Sequence, residues 1–113
     1  MQLVEAVKAL SALAQEHRLS AFRLLVRAGS DGLPAGEIAR EVGVLPNTLS
    51  THLTILDHAG LLRSRREGRS VIYSADYDGM GELLDFLVAD CCDGRPEICA
   101  PLAEVAQACC SSK

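Results

Sequence analysis

Apolar residues recur every three or four positions in five stretches of the chain, which is the spacing of amphipathic helices. The stretches cover residues 3–14, 17–28, 34–43, 45–60 and a segment that begins near Asp76 or Asp78. Either aspartate can cap that last helix. The second stretch is apolar around much of its circumference, which predicts that it is the central helix of the core.

The third and fourth stretches are separated by very few residues. In the third, Ile38 and Val42 face inward, and Gly43 stands where helices commonly end in a left-handed conformation. Three leucines at helical spacing form the inward face of the fourth: Leu49, Leu53 and Leu56. Two helices joined by the short segment from Gly43 to Pro46 predict a helix-turn-helix.

The outward face of the fourth helix carries hydroxyl, amide and imidazole groups, where a solvated helix usually carries Glu and Lys. Short polar groups of this kind can approach phosphates and base edges in a DNA major groove. The residues predicted to contact DNA are Asn47, Thr48, Ser50, Thr51 and His52. The alternative for Asn47 or Thr48 is that its side chain only caps the helix.

Beyond the fourth helix the pattern changes to that of a β-hairpin, with Glu67-Gly68 as a two-residue turn signal. Four arginines lie on this hairpin: Arg63, Arg65, Arg66 and Arg69. We expect Arg65, Arg66 and Arg69 to contact phosphates; the alternative is that these charges only protect an exposed strand edge. A helix-turn-helix followed by a basic hairpin predicts a mainly α-helical winged helix-turn-helix fold.

The net charge of −4 argues against a nucleic-acid partner until its distribution is considered. Up to Ala75 the chain carries nine Lys and Arg against seven Asp and Glu, whereas from Asp76 onward it carries two against eight. The acidity therefore belongs to the C-terminal part. Attraction to DNA is a local property of the hairpin and the fourth helix.

The first and last helices carry apolar stripes that a small core and a wing do not fully cover. Because 113 residues bury only a small core, we expect these helices to pair with their counterparts in a homodimer. The alternative is that both stripes pack within one chain. Twofold symmetry sets two recognition helices about 34 Å apart, which suits double-stranded operator DNA with an imperfect inverted repeat. Residues 1–92 are expected to form the DNA-binding and dimerisation domain, and 93–113 a cysteine-bearing tail.

Neither a signal peptide nor a membrane segment is recognisable in the sequence. The N-terminal segment contains Glu5 and Lys8, and no apolar run approaches the ~20 residues that span a bilayer. We therefore expect a cytoplasmic protein without a membrane partner. In a reducing compartment its five cysteines are expected to be thiols or ligands rather than disulfides.

Three cysteines, Cys91, Cys92 and Cys99, surround a Gly- and Pro-containing turn at the end of the last helix, with no histidine nearby in sequence. Sulfur ligands select soft ions, and zinc generally takes four ligands. Three thiolates instead suit a pyramidal ion with a lone pair, As(III) or Sb(III). Cys91 taken alone could be a small core residue, but Cys92 and Cys99 lack an apolar setting, which favours a site.

Other functions could use the same cysteines. A Cd, Pb or Zn sensor is one alternative, and a thiol-oxidation sensor is another; oxidation predicts that peroxide releases DNA and forms a disulfide. Cys109 and Cys110 could bind a second ion, assist from the other chain or only oxidise. A thiol enzyme lacks support because no Cys-x-x-Cys or Cys/His/Asp arrangement is apparent, so we expect a regulator and not an enzyme.

Several motifs, in order along the chain, resemble the ArsR/SmtB family of metal-responsive repressors. They are Ala12–Leu19, Thr48–Leu53, Leu56, Ala59–Leu61, Arg66–Arg69 and Tyr73. The resemblance implies a homodimeric winged-helix repressor that occupies its operator without ligand and is released when the ion binds. Two family patterns are absent: the arsenite pair of cysteines in the helix before the recognition helix, and the zinc-type Asp/His pattern in the last helix. The Cys91, Cys92 and Cys99 arrangement is similar to that of arsenite-responsive members with a site at the end of the last helix, which implies As(III) as the inducer.

Overall fold

The computed structural model describes residues 1–89. Five helices and three strands follow one another along this part of the chain. They are α1 (Leu3–Leu13), α2 (Glu16–Ala28), β1 (Leu33–Pro34), α3 (Ala35–Val42), α4 (Pro46–His58), β2 (Leu62–Glu67), β3 (Ser70–Ala75) and α5 (Tyr77–Val88). The chain divides into two units, Met1–Leu83 and Leu84–Lys113. The predicted mainly α-helical winged helix-turn-helix fold is confirmed.

Helix α2 is the centre of the first unit, as its apolar circumference predicts. It contacts α1, α3, α4 and β3, and Ala21, Phe22 and Leu25 are buried in these contacts. The Gln15 side chain caps its start by accepting a hydrogen bond from the Arg18 backbone N–H at 2.9 Å.

The helix-turn-helix consists of α3 and α4. Gly43 ends α3 in the left-handed conformation at φ +82°, and its N–H donates to the Ala39 carbonyl at 2.9 Å. Leu45 and Pro46 then begin α4, with Pro46 in the first turn where its missing N–H costs no hydrogen bond. The sequence prediction of both helices is confirmed to within a few residues at each end.

The wing is the antiparallel pair β2 and β3, in which Leu62 lies opposite Ala75 and Glu67 lies opposite Ser70. The connecting turn is therefore Gly68-Arg69, and the predicted turn at Glu67-Gly68 was wrong by one residue. Glu67 pairs with the opposite strand instead of turning, and Gly68 takes the positive φ of +62° that the turn requires.

A third strand, β1, was not predicted. Its two residues pair with β3 in a sheet of order β1-β3-β2, with Leu33 opposite Tyr73. Gly32 makes this approach feasible, since its φ is +69° and a Cβ there would meet the backbone carbonyl of Tyr73. This small sheet ties the loop after α2 to the wing.

Helix α1 begins and ends near its predicted positions, and α5 begins at Tyr77, between the two predicted caps Asp76 and Asp78. In α1 the alanines Ala6, Ala9 and Ala12 face the core, whereas Leu3, Val4, Val7 and Leu10 are exposed. In α5 the Asp76 side chain accepts a hydrogen bond from the Gly79 N–H at 3.0 Å, which selects Asp76 over Asp78 as the cap. Among the described helices none is long and apolar enough to cross a membrane.

Candidate nucleic-acid interface

The recognition helix α4 is fixed by one face and presents the other to solvent. Leu49, Leu53 and Leu56 are each at most 1% exposed, so they hold the helix against the core. Four of the five residues predicted to contact DNA from this helix lie on its exposed side: Asn47, Thr48, Ser50 and Thr51. The same exposed side includes Thr54, which sequence reasoning missed although it follows Thr51 at helical spacing.

The capping alternative for Asn47 and Thr48 does not hold in the structure. The N-cap is Leu45, and no side chain caps the first turn of α4. The Asn47 amide forms no side-chain hydrogen bond with residues 1–89, so both its donor and its acceptor are available to a base edge. The Thr51 hydroxyl makes a long 3.5 Å contact to the Asn47 carbonyl, and the Thr54 hydroxyl donates to the Ser50 carbonyl at 2.9 Å.

His52 differs from the other four because it is half-buried at the flank of α4. Its Nδ1 lies 3.4 Å from Arg18 Nη1, and its ring centroid lies 5.8 Å from that of His17. Since a guanidinium can only donate, Nδ1 is the acceptor and the ring proton belongs on Nε2. Burial, and then the positive charges of Arg18 and His17, lower the pKa of His52.

Arg18 connects this histidine to the first helix. Its Nε donates to the carbonyl of Ala12, near the end of α1, at 2.6 Å. One side chain of α2 therefore touches the carbonyl end of α1 and the imidazole of the recognition helix. A cation at the carbonyl end of a helix is also favoured by the helix dipole.

The wing arginines divide into two groups. Arg65 is held within the chain: its Nε pairs with Glu67 at 2.7 Å, and its Nη atoms donate to the carbonyls of Ser30 and Asp31 at 3.3 and 2.7 Å. Arg63 is similarly engaged by carboxylates at the start of α5, Asp76 at 3.4 Å and Asp78 at 3.0 Å. These two arginines hold the wing against the loop after α2 and the start of α5.

Arg66 and Arg69 form the second group. Both are exposed, and neither forms an ion pair with any of residues 1–89. Arg69 lies in the hairpin turn and lines a cleft of about 340 Å³ between the wing, the start of α3 and the recognition helix. Ser50 lines the same cleft, so an arginine of the wing and a hydroxyl of α4 face one space.

The predicted ligands Cys91, Cys92 and Cys99 lie outside the described residues, as do Cys109 and Cys110. Among residues 1–89, no group of three or more His, Cys, Asp or Glu side chains could hold a metal ion.

A model of a helix-turn-helix domain family matches residues 13–65, which include α2, the helix-turn-helix and the first part of the wing. Many solved structures are similar over most of the chain, and three of them are given in turn. The first is a homodimeric winged helix-turn-helix DNA-binding domain of Mycobacterium bovis, described as a possible ArsR-family transcriptional regulator. It is 31% identical, with a TM-score of 0.64, and the match covers 78% of this chain and 81% of that one.

The second is the reduced form of HlyU from Vibrio cholerae, 33% identical with a TM-score of 0.58, covering 74% of this chain and 88% of that one. The third is a possible transcriptional regulator for arsenical resistance. It is 26% identical with a TM-score of 0.64, and the match covers 73% of this chain and 82% of that one.

Proposed function

Because the chain belongs to the ArsR family of winged helix-turn-helix transcriptional regulators, we propose that it is a homodimeric repressor released from its operator by As(III). Three thiolates, those of Cys91, Cys92 and Cys99, bind the ion. Sb(III), which has the same charge and a lone pair, is the second candidate ligand.

The DNA-binding part of this proposal depends chiefly on one observation, the exposed face of α4 beside Arg66 and Arg69, which form no ion pair with residues 1–89. Asn47, Thr48 and Thr51 are short enough to reach base edges, and no charged side chain of the helix stands among them. Arg66 and Arg69 supply the sequence-independent attraction to phosphates. The buried leucines of α4 fix this surface in position relative to the wing.

The homodimer is supported by the surface of α1. Leu3, Val4, Val7 and Leu10 are exposed by 66%, 77%, 54% and 41%. Four neighbouring large apolar residues on one helix face are unfavourable in water and favour association with a second copy. In the second unit, Leu84, Leu87 and Val88 of α5 are exposed as well. The similar M. bovis domain is homodimeric.

The ligand is proposed from the chemistry of the C-terminal sequence. All five cysteines of the chain follow α5, and three of them fall within Cys91–Cys99. A set of sulfur ligands without histidine favours a thiophilic ion. One structural neighbour is described as a possible regulator for arsenical resistance, which agrees with this choice.

Release requires a sizeable difference in affinity. Coupling between two sites is typically about 1–3 kcal/mol, whereas emptying an almost fully occupied operator needs about 5.5 kcal/mol. A dimer with one ion site in each subunit approaches this value. In the proposed mechanism the three thiolates draw the tail towards the end of α5, and repacking at the dimer contact changes the relative position of the two recognition helices.

The experiment is a titration of the reduced protein, bound to the DNA fragment upstream of its own coding sequence, with arsenite and in parallel with antimonite. We expect release at about one ion per subunit, and we expect Cys91→Ser, Cys92→Ser and Cys99→Ser each to stay bound. Cys109→Ser is the matched control, because it removes a thiol outside the proposed trio and should respond like the wild type.

Other outcomes identify other ligands. Release by Cd(II), Pb(II) or Zn(II) but not by arsenite would show that the protein is a regulator that responds to that metal ion instead of As(III). Release by peroxide alone, with a disulfide detected by mass spectrometry, would make the cysteines a redox sensor. Equal release of wild type and all three serine variants would contradict the proposed ligand set.

A further inference from the structure

Ser50 of the recognition helix lines the cleft towards the wing, and Ile55 lies about 140° further round the helix. A second cleft borders the helix at Ile55 and His58. It has a volume of about 360 Å³ and lies between α1, α2 and α4. Its lining residues are Lys8, Ser11, Ala12, Arg18, Ile55 and His58. Two of these are cations and none is a carboxylate. The helix thus has a cationic cleft on each side, since Arg69 and Ser50 line the cleft towards the wing.

Lys8 is exposed on α1 and forms no ion pair with any of the described residues. On its other side it borders a neighbouring cleft that also holds Glu5, Glu82 and His58. The charged neighbour of the Lys8 ammonium group in the cleft towards α2 and Ile55 is therefore Arg18, whereas carboxylates lie in the cleft on its other side. Such a charge arrangement attracts an anion.

Arg18 is fixed at the same cleft. The hydrogen bond from its Nε to the Ala12 carbonyl, at 2.6 Å, orients the guanidinium, and Nη1 faces His52 at 3.4 Å. A guanidinium has five N–H donors, so these two contacts leave three for another acceptor. A preorganised arginine with spare donors suits an oxyanion such as a phosphate.

The position of the cleft indicates which phosphates it would meet. A helix with its side chains is about 10–12 Å across, and the DNA major groove is about 12 Å wide. A helix inserted there has one sugar-phosphate backbone along each flank. The wing stands at one flank of α4, and the cleft of Lys8 and Arg18 stands at the other.

We propose that Lys8 and Arg18 form a second phosphate-binding edge of the DNA interface, opposite the edge formed by Arg66 and Arg69. The two edges hold the backbones on either side of the major groove and centre the recognition helix between them. His58 adds a hydrogen-bonding group at the rim, and Ile55 packs against the sugars. This inference rests on the proposed binding of duplex DNA, and it is independent of the proposed ligand.

The test compares Lys8→Gln with Arg27→Gln on the DNA fragment upstream of the protein's own coding sequence. Each variant removes one exposed positive charge. Arg27 is nine residues further along α2 than Arg18, which is about 13 Å and half a turn away. The measured quantity is the dependence of log Kd on log salt concentration. Because each lost phosphate contact reduces this slope by about 0.9, Lys8→Gln should reduce it by about 1.8 for a dimer, and Arg27→Gln should keep the wild-type slope.

Phosphate ethylation interference gives the second readout. Lys8→Gln should lose interference at one set of phosphates, and Arg69→Gln should lose it at a different set on the other side of the same groove. If Lys8→Gln retained both the wild-type slope and the wild-type interference pattern while Arg69→Gln changed them, the second edge would be wrong and the DNA-binding proposal would stand. Failure of the wild type to bind the duplex at any salt concentration would overturn both.

Discussion

At the scale of single residues, the fold opposes the protonation of His52. Its pKa is lowered from the ordinary value of 6.5 by burial and by the charges of Arg18 and His17. As the pH falls below 6.5, His52 therefore binds a proton more readily in the unfolded chain than in the folded chain. The stability that neutral His52 contributes is fully present above that pH and is lost as the pH falls through the lowered pKa.

We expect the free energy of unfolding, measured in urea, to fall between about pH 7.5 and pH 5.5, and to fall less in His52→Gln than in the wild type. Ser50→Ala changes an exposed, non-titrating residue of the same helix and should retain the wild-type loss. An identical loss in the wild type and His52→Gln would show that other groups cause the acid sensitivity. The comparison uses equal protein concentrations, because association stabilises the folded chain.

The wing arginines lead to a second prediction at this scale. Arg65 uses its donors on Glu67 and on the Ser30 and Asp31 carbonyls, so it positions the wing, whereas Arg69 has no such partner among residues 1–89. Arg69→Gln should reduce the salt slope of DNA binding by about 1.8 per dimer. Arg65→Gln should weaken binding with a clearly smaller change in slope. Equal slope changes in both variants would show that Arg65 also contacts a phosphate, as the sequence predicts.

At the scale of elements, the start of α5 lies against the turn that ends α4. A Cβ on Gly79 would run into the Gly60 carbonyl, whereas a Cβ on Gly81 would meet nothing within 4 Å. Gly79→Ala should therefore lower the free energy of unfolding by about 1–3 kcal/mol. Gly81→Ala, two positions along the same helix, should raise it by about 0.5–1 kcal/mol because alanine is the better helix former.

Urea unfolding of the two variants at one protein concentration measures this difference directly. Similar stability of Gly79→Ala and Gly81→Ala would mean that α5 can move away from the Gly60 carbonyl at little cost. The pair thus tests how closely the segment that leads towards the cysteines is held by the winged-helix core.

The elements themselves were largely predictable from the sequence because each has a local signal. The leucines of α4, the glycine after α3 and the alternation of the wing are patterns of neighbouring residues. Strand β1 has no such signal: two residues with a proline become a strand only because β3 lies beside them. The contacts of Arg65 and His52 could not be predicted for the same reason, because their partners Asp31 and Arg18 are more than thirty positions away in sequence.

The local pattern of apolar residues also did not predict which residues of α1 face inward. The apolar stripe predicted an amphipathic helix, but both alanines and larger residues lie at helical spacing. The core accepts the alanines, and four of the larger residues, Leu3, Val4, Val7 and Leu10, are exposed, since α1 lies close against α2 and α4. The sequence thus predicted an apolar surface in need of cover, while only the structure assigned Val4 and Val7 to it.

At the scale of the whole molecule, the exposed apolar face of α1 allows the proposed dimer to be tested together with DNA binding. Val7 is 54% exposed and lies within the apolar face of α1. A carboxylate there would have to be desolvated in a dimer contact, which is strongly unfavourable. Val7→Glu should therefore be monomeric by sedimentation equilibrium while keeping the circular dichroism spectrum of the folded chain. Ser20→Glu, which adds the same charge at an exposed position of α2, should remain dimeric.

DNA binding then distinguishes a dimer that matters for function from one that does not. A twofold dimer duplicates every phosphate contact, so a monomer should show about half the wild-type salt slope. It also loses the second half-site, for which the effective-concentration gain is about 10²-fold or more in affinity. A monomeric Val7→Glu that bound the upstream fragment with wild-type affinity and slope would show that one winged helix suffices. Ligand release would then have to act within a single subunit rather than through the spacing of two recognition helices.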